Sequence, residues 1–263
     1  MPELPEVEAA RVMAEGVLLR RRIEAVAARE DPVVFEGVSP RRVARALRGR
    51  RVQALRRKGK HLWIELDRRP WPLIHFGMTG WLFAYERAAE RPRHWRLELA
   101  LDSGRRLCFS DPRRFGRVRL QHDPLHESPL RDLGFDVLEG LPPAALLGGI
   151  LSRRQAPIKA VLLDQSLFAG VGNWIADEVL YQAGLSPRRP AAALSAAEVA
   201  RLRAKLLAVV RRAVAVEADS ERFPRGWLFH RRWDARQPAD APEHIVRETI
   251  GGRTSAWVPA RQK

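Results

Sequence analysis

The sequence predicts an α+β chain of several domains: an N-terminal helix, a β-sandwich, a helical domain and a closing β-hairpin. Two observations predict it. The apolar period changes along the chain, from helical over residues 5–18, to two over roughly the next hundred residues, and back to helical. Gly- and Pro-rich stretches fall where the period changes. At 263 residues the chain is long enough for two domains with sizeable cores.

Each element has its own signal. Over residues 5–18, Val7, Ala10, Ala14, Val17 and Leu18 share one helix face, with Glu8, Arg11 and Glu15 opposite. Leu62, Ile64 and Leu66 then alternate, as do Trp95, Leu97, Leu99 and Leu101, with Asp102-Ser103-Gly104 as a turn. This reads as a sandwich or barrel-like domain over residues 1–130. Residues 131–142 read as a linker, 143–235 as a helical domain and 236–263 as a finger. In the helical domain, Asn173 suits an N-cap and Gly184 a helix stop. Ser195 and Glu198 form a capping box, followed by a stripe of Val199, Leu202, Leu206, Val209, Ala213 and Val216. Gly251-Gly252 between HIVRETI and RTSAWVP marks the hairpin.

Composition narrows the partner. Lys and Arg number 47 against 31 acids, a net charge of +16. Such a balance points to a polyanion, most simply nucleic acid. No apolar run approaches the ~20 residues of a membrane span. The first residues are acidic where a signal peptide would be basic. The single cysteine, Cys108, excludes an internal disulfide. A non-secreted protein follows, cytoplasmic or nucleoid-associated in a bacterium and nuclear in a eukaryote.

The chemistry starts at Pro2. Removal of Met1 leaves Pro2 a secondary amine, and an α-amino pKa of roughly 7.7–8.0 keeps a useful fraction neutral at pH 7. Such an amine attacks an aldehyde-level carbon and gives a cationic iminium, an electron sink. Glu3 beside it is a candidate general acid/base. By themselves these residues better suit a capped helix start with Pro5 in its first turn. The stretch 167–173, LFAGVGN, leads into a helix whose backbone N–H groups suit a phosphate, with Lys159 one helix earlier. HFGMTG (75–80) and DPRRFG (111–116) place Met78, Arg113 and Phe115 on glycine-flanked turns. Such side chains can wedge into a duplex and fill the space of an extruded base, although a methionine or phenylalanine in a β-turn is more often a core residue.

MPELPEVE, the RRKGK ending at Lys60, HFGMTG, DPRRFG and FAGVGN occur in this order over nearly the whole chain. Together they resemble the formamidopyrimidine-DNA glycosylase / endonuclease VIII family. The resemblance implies a helix–two-turn–helix domain between the β-sandwich and the finger. It implies a bifunctional glycosylase and AP lyase of base excision repair acting on damaged double-stranded DNA as a monomer. Pro2 would be the nucleophile at C1′, Glu3 the acid/base at the sugar, and Glu6 would order the N-terminal helix. Lys60 would contact phosphate and lesion. Met78, Arg113 and Phe115 would fill the void, with His75 and His94 beside them on DNA. Lys159, Asn173 and Arg253 would hold phosphates, and Glu178 would help position the amine. Base release, β-elimination and δ-elimination then proceed through the iminium, with no cofactor.

The chain departs from the family at its finger. Most bacterial members carry four zinc-binding cysteines there; the last pair would fall at Val258 and Arg261, and the earlier pair is missing from HRRWDARQPADAPEH. His122 and His126 have ligand spacing, but Pro124 lies between them. A metal-free finger is therefore expected, resembling plant and fungal members. The segment before it, about 220–233, is short and carries Trp227 and Phe229. In the family this segment caps an extruded 8-oxoguanine. The plant-like resemblance implies preference for formamidopyrimidines and hydantoins over 8-oxoguanine. Three alternatives stand: an endonuclease VIII-type enzyme for oxidised pyrimidines, a damage-binding protein without catalysis, and an RNA-associated role resting on charge alone.

Overall fold

The structure, a computed structural model, describes residues 2–233 and 243–263. Met1 and residues 234–242, which belong to the stretch expected to lack the first cysteine pair, lie outside the described residues. The chain forms two compact units. The first holds Pro2 and residues 6–132; the second holds Glu3–Pro5 and Leu133–Lys263.

The first unit is a two-sheet β-sandwich. Its elements are α1 (Leu4–Leu18), β1 (Ile23–Ala28), α2 (Pro40–Leu47), β2 (Val52–Lys58), β3 (His61–Leu66), β4 (Trp71–His75), β5 (Trp81–Tyr85), β6 (Trp95–Leu101), β7 (Arg106–Ser110) and β8 (Arg117–Gln121). One sheet runs β1-β6-β7-β5 and the other β2-β3-β4-β8, with all neighbours antiparallel. Leu62, Ile64 and Ile74 of one sheet share a core with Leu97, Leu99 and Leu107 of the other. Val7, Ala10, Ala14, Val17 and Leu18 of α1 enter the same core, as their spacing predicts.

β6 departs from strict alternation. Leu97, Leu99 and Leu101 are buried, but Trp95 is only partly so, because a bulge separates it from Leu97. Arg96 and Glu98 on the opposite face are buried too. Glu98 is held by Arg91, Arg106 and the Tyr85 hydroxyl, and Arg96 by Asp31. Buried charge needs such partners.

The second unit contains β9 (Phe135–Asp136), α3 (Ala144–Leu151), α4 (Ile158–Leu163), β10 (Phe168–Ala169), α5 (Asn173–Ala183), α6 (Ala196–Ala215), β11 (Val246–Ile250) and β12 (Arg253–Trp257). Residues 131–142, read as a linker, contain β9, which pairs in parallel with β10. The α6 stripe is buried as its period requires, and the Ser195–Glu198 box closes its start: Ser195 N donates to the Glu198 carboxylate and Glu198 N to the Ser195 hydroxyl. β11 and β12 form the hairpin. Gly251 and Gly252 both take positive φ, +60° and +73°, which a two-residue turn of this hand requires.

α5 is the centre of this unit. From Trp174 to Tyr181 every residue is buried. Asp177 faces inward and receives Lys159 of α4, Arg232 and, at 3.3 Å, the Ala256 N–H of β12. One carboxylate therefore joins two helices, the finger hairpin and the segment before it. Its two cationic partners are as buried as it is, with side-chain exposures of 0% and 3%. Removing Asp177 would leave both without their counter-charge. Asp177→Ala is expected to cost about 3–5 kcal/mol and to accelerate amide exchange in β12, read by denaturant unfolding and hydrogen exchange.

Candidate active site

The N-terminal peptide docks through Glu3 and Leu4. Both Glu3 carboxylate oxygens accept backbone N–H bonds at the start of α5, from Trp174 at 2.9 Å and Ile175 at 3.2 Å. The carboxylate is 2% exposed and lies at the positive end of the helix. Leu4 N donates to the Gly170 carbonyl at 3.1 Å. The glycines of LFAGVGN make room for this. A Cβ on Gly172 would collide with the Glu3 carboxylate, and one on Gly170, at φ +101°, with Leu4.

This corrects two expectations. Gly172, and not Asn173, is the N-cap of α5, and the capping group comes from Glu3, 171 positions before the Trp174 N–H it accepts from. The helix start read as a phosphate cradle is filled by that carboxylate. Asn173 is the first helical residue, and its Nδ2 donates to the Thr254 carbonyl at 2.8 Å.

Lys159 is a third correction. Expected on DNA phosphate, it is 0% exposed, bonded to Asp177 and to the Asn173 carbonyl at 3.2 Å. Burial pulls its ammonium below the usual lysine range, while Asp177 pulls the other way. Arg253, at the start of β12, is exposed beyond the turn whose Gly251 lies against Ala160 of α4. Glu178 differs from expectation too. It is fully buried, and its oxygens accept from Gln182 at 2.7 Å and from Phe229 N at 2.9 Å. It anchors the segment before the finger. Burial raises its carboxyl to about 7.

That segment is folded into the core. Phe223 and Trp227 are buried, Phe229 partly so, and all three rings surround Trp174 at centroid distances of 5.3–6.5 Å. Trp227 and Phe229, read as bulk on a capping loop, are anchors instead.

In the first unit, Gly59 and Lys60 form the turn from β2 to β3, with Lys58 paired to His61. His61 and His75 face each other across β3 and β4 at 4.6 Å. Burial lowers His61 to about 3, and His75, Arg119 and Lys60 push the same way. Burial likewise lowers His75 to about 4, helped by Lys60, Arg119 and Arg117. Both imidazoles are neutral at pH 7, and His75 Nδ1 accepts from Gly77 N at 3.2 Å. His75 thus supports its loop from the foot. Glu6 lies partly buried in the first turn of α1, and Pro2 is partly exposed.

Met78 and Phe115 are 40% and 44% exposed on adjacent loops, and the Arg113 guanidinium lies 4.9 Å over the Phe115 ring. His94 is exposed beside them, its carbonyl accepting from Asp111 N at 2.9 Å. Asp111 itself escaped the sequence reading although it begins the quoted DPRRFG. Fully buried, it accepts from the Thr79 hydroxyl at 2.7 Å, Arg113 N at 3.2 Å and Gly116 N at 2.7 Å. One carboxylate thereby locks the Met78 loop to the Arg113–Phe115 loop. Asp31 adds a bidentate bond to Arg114, which takes φ +60°. Gly77 permits the close approach, since a Cβ there would strike the Phe115 backbone.

Two family models match: the formamidopyrimidine-DNA glycosylase N-terminal domain over residues 1–118 and its H2TH domain over residues 135–225. A formamidopyrimidine-DNA glycosylase of Arabidopsis thaliana is 40% identical over 281 aligned positions, covering 100% of this chain and 71% of the plant protein. One from Desulfitobacterium hafniense is 39% identical over the full length of both chains. The chain belongs to the formamidopyrimidine-DNA glycosylase family. The fold agrees with that of a Lactococcus lactis Fpg variant in complex with Fapy-dG-containing DNA, at TM-score 0.87 and 24% identity over the whole of both chains. A Lactococcus lactis Fpg complex with abasic-site DNA gives 0.86 at 23%, covering 99% of each.

This glycosylase is thus a DNA-binding base excision repair enzyme with glycosylase and AP lyase activity. None of its described helices is long and apolar enough to cross a membrane. At the two positions where the family's last cysteine pair would fall, neither side chain is a zinc ligand. Val258 is buried, with its N–H on Gln262, and Arg261 stacks on the Tyr181 ring. Among the described residues no group of His, Cys, Asp and Glu is placed to hold a metal.

The glycosylase's paired histidines set a pH dependence. Unfolded imidazoles bind protons near pH 6.5, while the folded pair resists protonation down to about 4 and about 3. The unfolded state therefore binds more protons between these values, and stability falls as pH drops from about 6.5 to 4. Glu178 works oppositely, losing stability as pH rises from about 4.5 to about 7. His61→Gln should shed much of the acid-side loss, seen as a smaller fall in denaturant midpoint from pH 7 to pH 4.5 than in wild type.

The Asp111 lock sets a second expectation. Asp111→Ala strands the buried Gly116 N–H at about 1–3 kcal/mol, releases the part-buried Thr79 hydroxyl and Arg113 N–H, and should slow base excision more than it weakens undamaged-duplex binding. Single-turnover excision and equilibrium binding separate the two.

Proposed function

We propose that this enzyme acts through Pro2 and excises oxidised purines, formamidopyrimidines and hydantoins above all, as a monomer. The observation that carries the reading is the seat of Glu3. Two N–H bonds at the start of α5 fix the carboxylate, and through the intervening peptide they restrict the neighbouring Pro2 nitrogen. Proximity of this kind is a large part of catalysis.

With Met1 removed, the Pro2 nitrogen attacks C1′ of the damaged nucleotide. The C1′–N bond to the base breaks, the base leaves protonated, and the ring opens to an iminium between Pro2 and C1′. Glu3 moves protons at the sugar. The iminium acidifies C2′–H; loss of that proton expels the 3′ phosphate. A further elimination expels the 5′ phosphate, and water releases the enzyme. Lys60 and Arg253 contact phosphate, Met78, Arg113 and Phe115 occupy the space of the extruded nucleotide, and Asn173 aligns the finger on α5. Lys159 acts through Asp177 as a positioning residue.

The lesion preference is supported by the 220–233 segment. Its aromatic residues are committed to Trp174 and its Phe229 N–H to Glu178. A segment so held is poorly suited to close over 8-oxoguanine, whereas the ring-opened and hydantoin lesions ask less of a cap.

Borohydride trapping on duplexes with single defined lesions tests this. Wild type should give a covalent band, fastest for formamidopyrimidine and guanidinohydantoin and slower for 8-oxoguanine and an oxidised pyrimidine. Protein retaining Met1, in which the Pro2 nitrogen is an amide and no longer a nucleophile, should lose the band while binding duplex within a few-fold of wild type. Glu3→Gln should slow base release by about 10²-fold or more. A band that survives undiminished in protein retaining Met1 removes the Pro2 amine from the mechanism. Equal rates on 8-oxoguanine and formamidopyrimidine remove the lesion preference, and fastest rates on the oxidised pyrimidine favour the endonuclease VIII-type alternative.

A further inference from the structure

We infer that the first unit carries a second DNA-binding surface, at the end of its sandwich remote from the Met78 and Arg113–Phe115 loops, which receives a second duplex segment. The inference rests on the DNA-binding assignment and not on the Pro2 mechanism.

The topology separates the two ends. The strand pair β3–β4 brings His61 beside His75 at the end that carries Lys60 and both void-filling loops. Along β2 the chain runs from Lys58, at that end, to Val52, paired with Leu66. Seven strand residues at about 3.3 Å each span roughly 20 Å. At the far end the segments 20–23 and 49–52 are joined by backbone bonds: Arg20 N to Val52 O, Val52 N to Arg21 O and Ile23 N to Arg50 O. The turn after β3 is tied in by Asp67 N to Arg51 O, and the turn after β6 by Asp102 N to Arg22 O.

These pairings gather Arg20, Arg21, Arg22, Arg48, Arg51 and Arg68, all exposed. The Arg51 guanidinium donates to the Arg20 carbonyl at 3.1 Å, so it lies on the patch. Acids at this end are Glu24, Asp67 and Asp102, and among the described residues none forms an ion pair with these arginines. Exposed α2 arginines extend the same charge.

Arginine's fork suits phosphate, and phosphate charge dominates non-specific affinity. Folding alone disfavours such a concentration of like charge. Duplex DNA is the polyanion most concentrated near an enzyme already bound to it. A second segment held here would let the enzyme pass directly from one stretch of DNA to another.

The test uses the full chain and Arg21→Gln/Arg22→Gln/Arg48→Gln/Arg68→Gln in one variant. Protein bound to a labelled undamaged duplex is mixed with rising unlabelled duplex. Wild-type release should quicken several-fold with competitor, and the variant should release at a nearly constant rate. Both should trap equally on an abasic-site duplex. A flat wild-type response, or an undiminished slope in the variant, overturns the inference. So does poly-glutamate of matched charge quickening release as strongly as duplex, which would mark a surface for acidic protein. Loss of trapping in the variant alone would place the patch in the catalytic duplex's footprint and overturn it too. Absence of trapping in both proteins would count against Pro2 and leave the release rates to decide this point.

Discussion

The seat of the Glu3 carboxylate on the first N–H groups of α5 is the interaction on which the start of the second unit's central helix depends. A helix start leaves N–H groups without intrahelical partners. Here the partner comes from the other end of the sequence. The glycines at 170 and 172 leave the volume for Leu4 and Glu3, and the Leu4 N–H closes the joint on Gly170. An N-terminal segment would otherwise fray. Anchored this way, it is held at Glu3 and Leu4.

The same helix organises the rest of its unit by a second carboxylate. Asp177 gathers Lys159, Arg232 and the Ala256 N–H, and Glu178 on the next position holds Phe229. Zinc fingers gain their folding energy from the metal. In this finger the Gly251-Gly252 turn, the strand bonds, Val258 in the core and the Asp177 contact hold the hairpin.

The first unit uses buried carboxylates for another end. Asp111 and Asp31 hold two exposed loops in one arrangement. Met78, Arg113 and Phe115 are thereby carried on loops tied to each other and to Asp31. Preorganisation of this kind lowers the ordering cost of binding. Hydrogen-bonded loops lie at one end of the sandwich and exposed arginines at the other.

Much of this was legible in the sequence. The periods of α1 and α6, the Ser195–Glu198 box and the glycine pair of the hairpin are local signals, and local sterics and hydrogen bonding decide them. The ordered motifs named the family, and DPRRFG and HFGMTG named the loops. What the tertiary structure alone decided were pairings between distant residues. Lys159 has the composition of a phosphate contact, but Asp177, 18 positions on, buries it. Asn173 has the composition of an N-cap, but Glu3 supplies the capping group. Trp95 breaks its strand's alternation through a bulge, and Trp227 leaves a loop for the core because Trp174 offers a ring to pack on. Residue type fixes what a side chain can do. Which partner reaches it first, and how much water remains around it, is set only when the chain is folded.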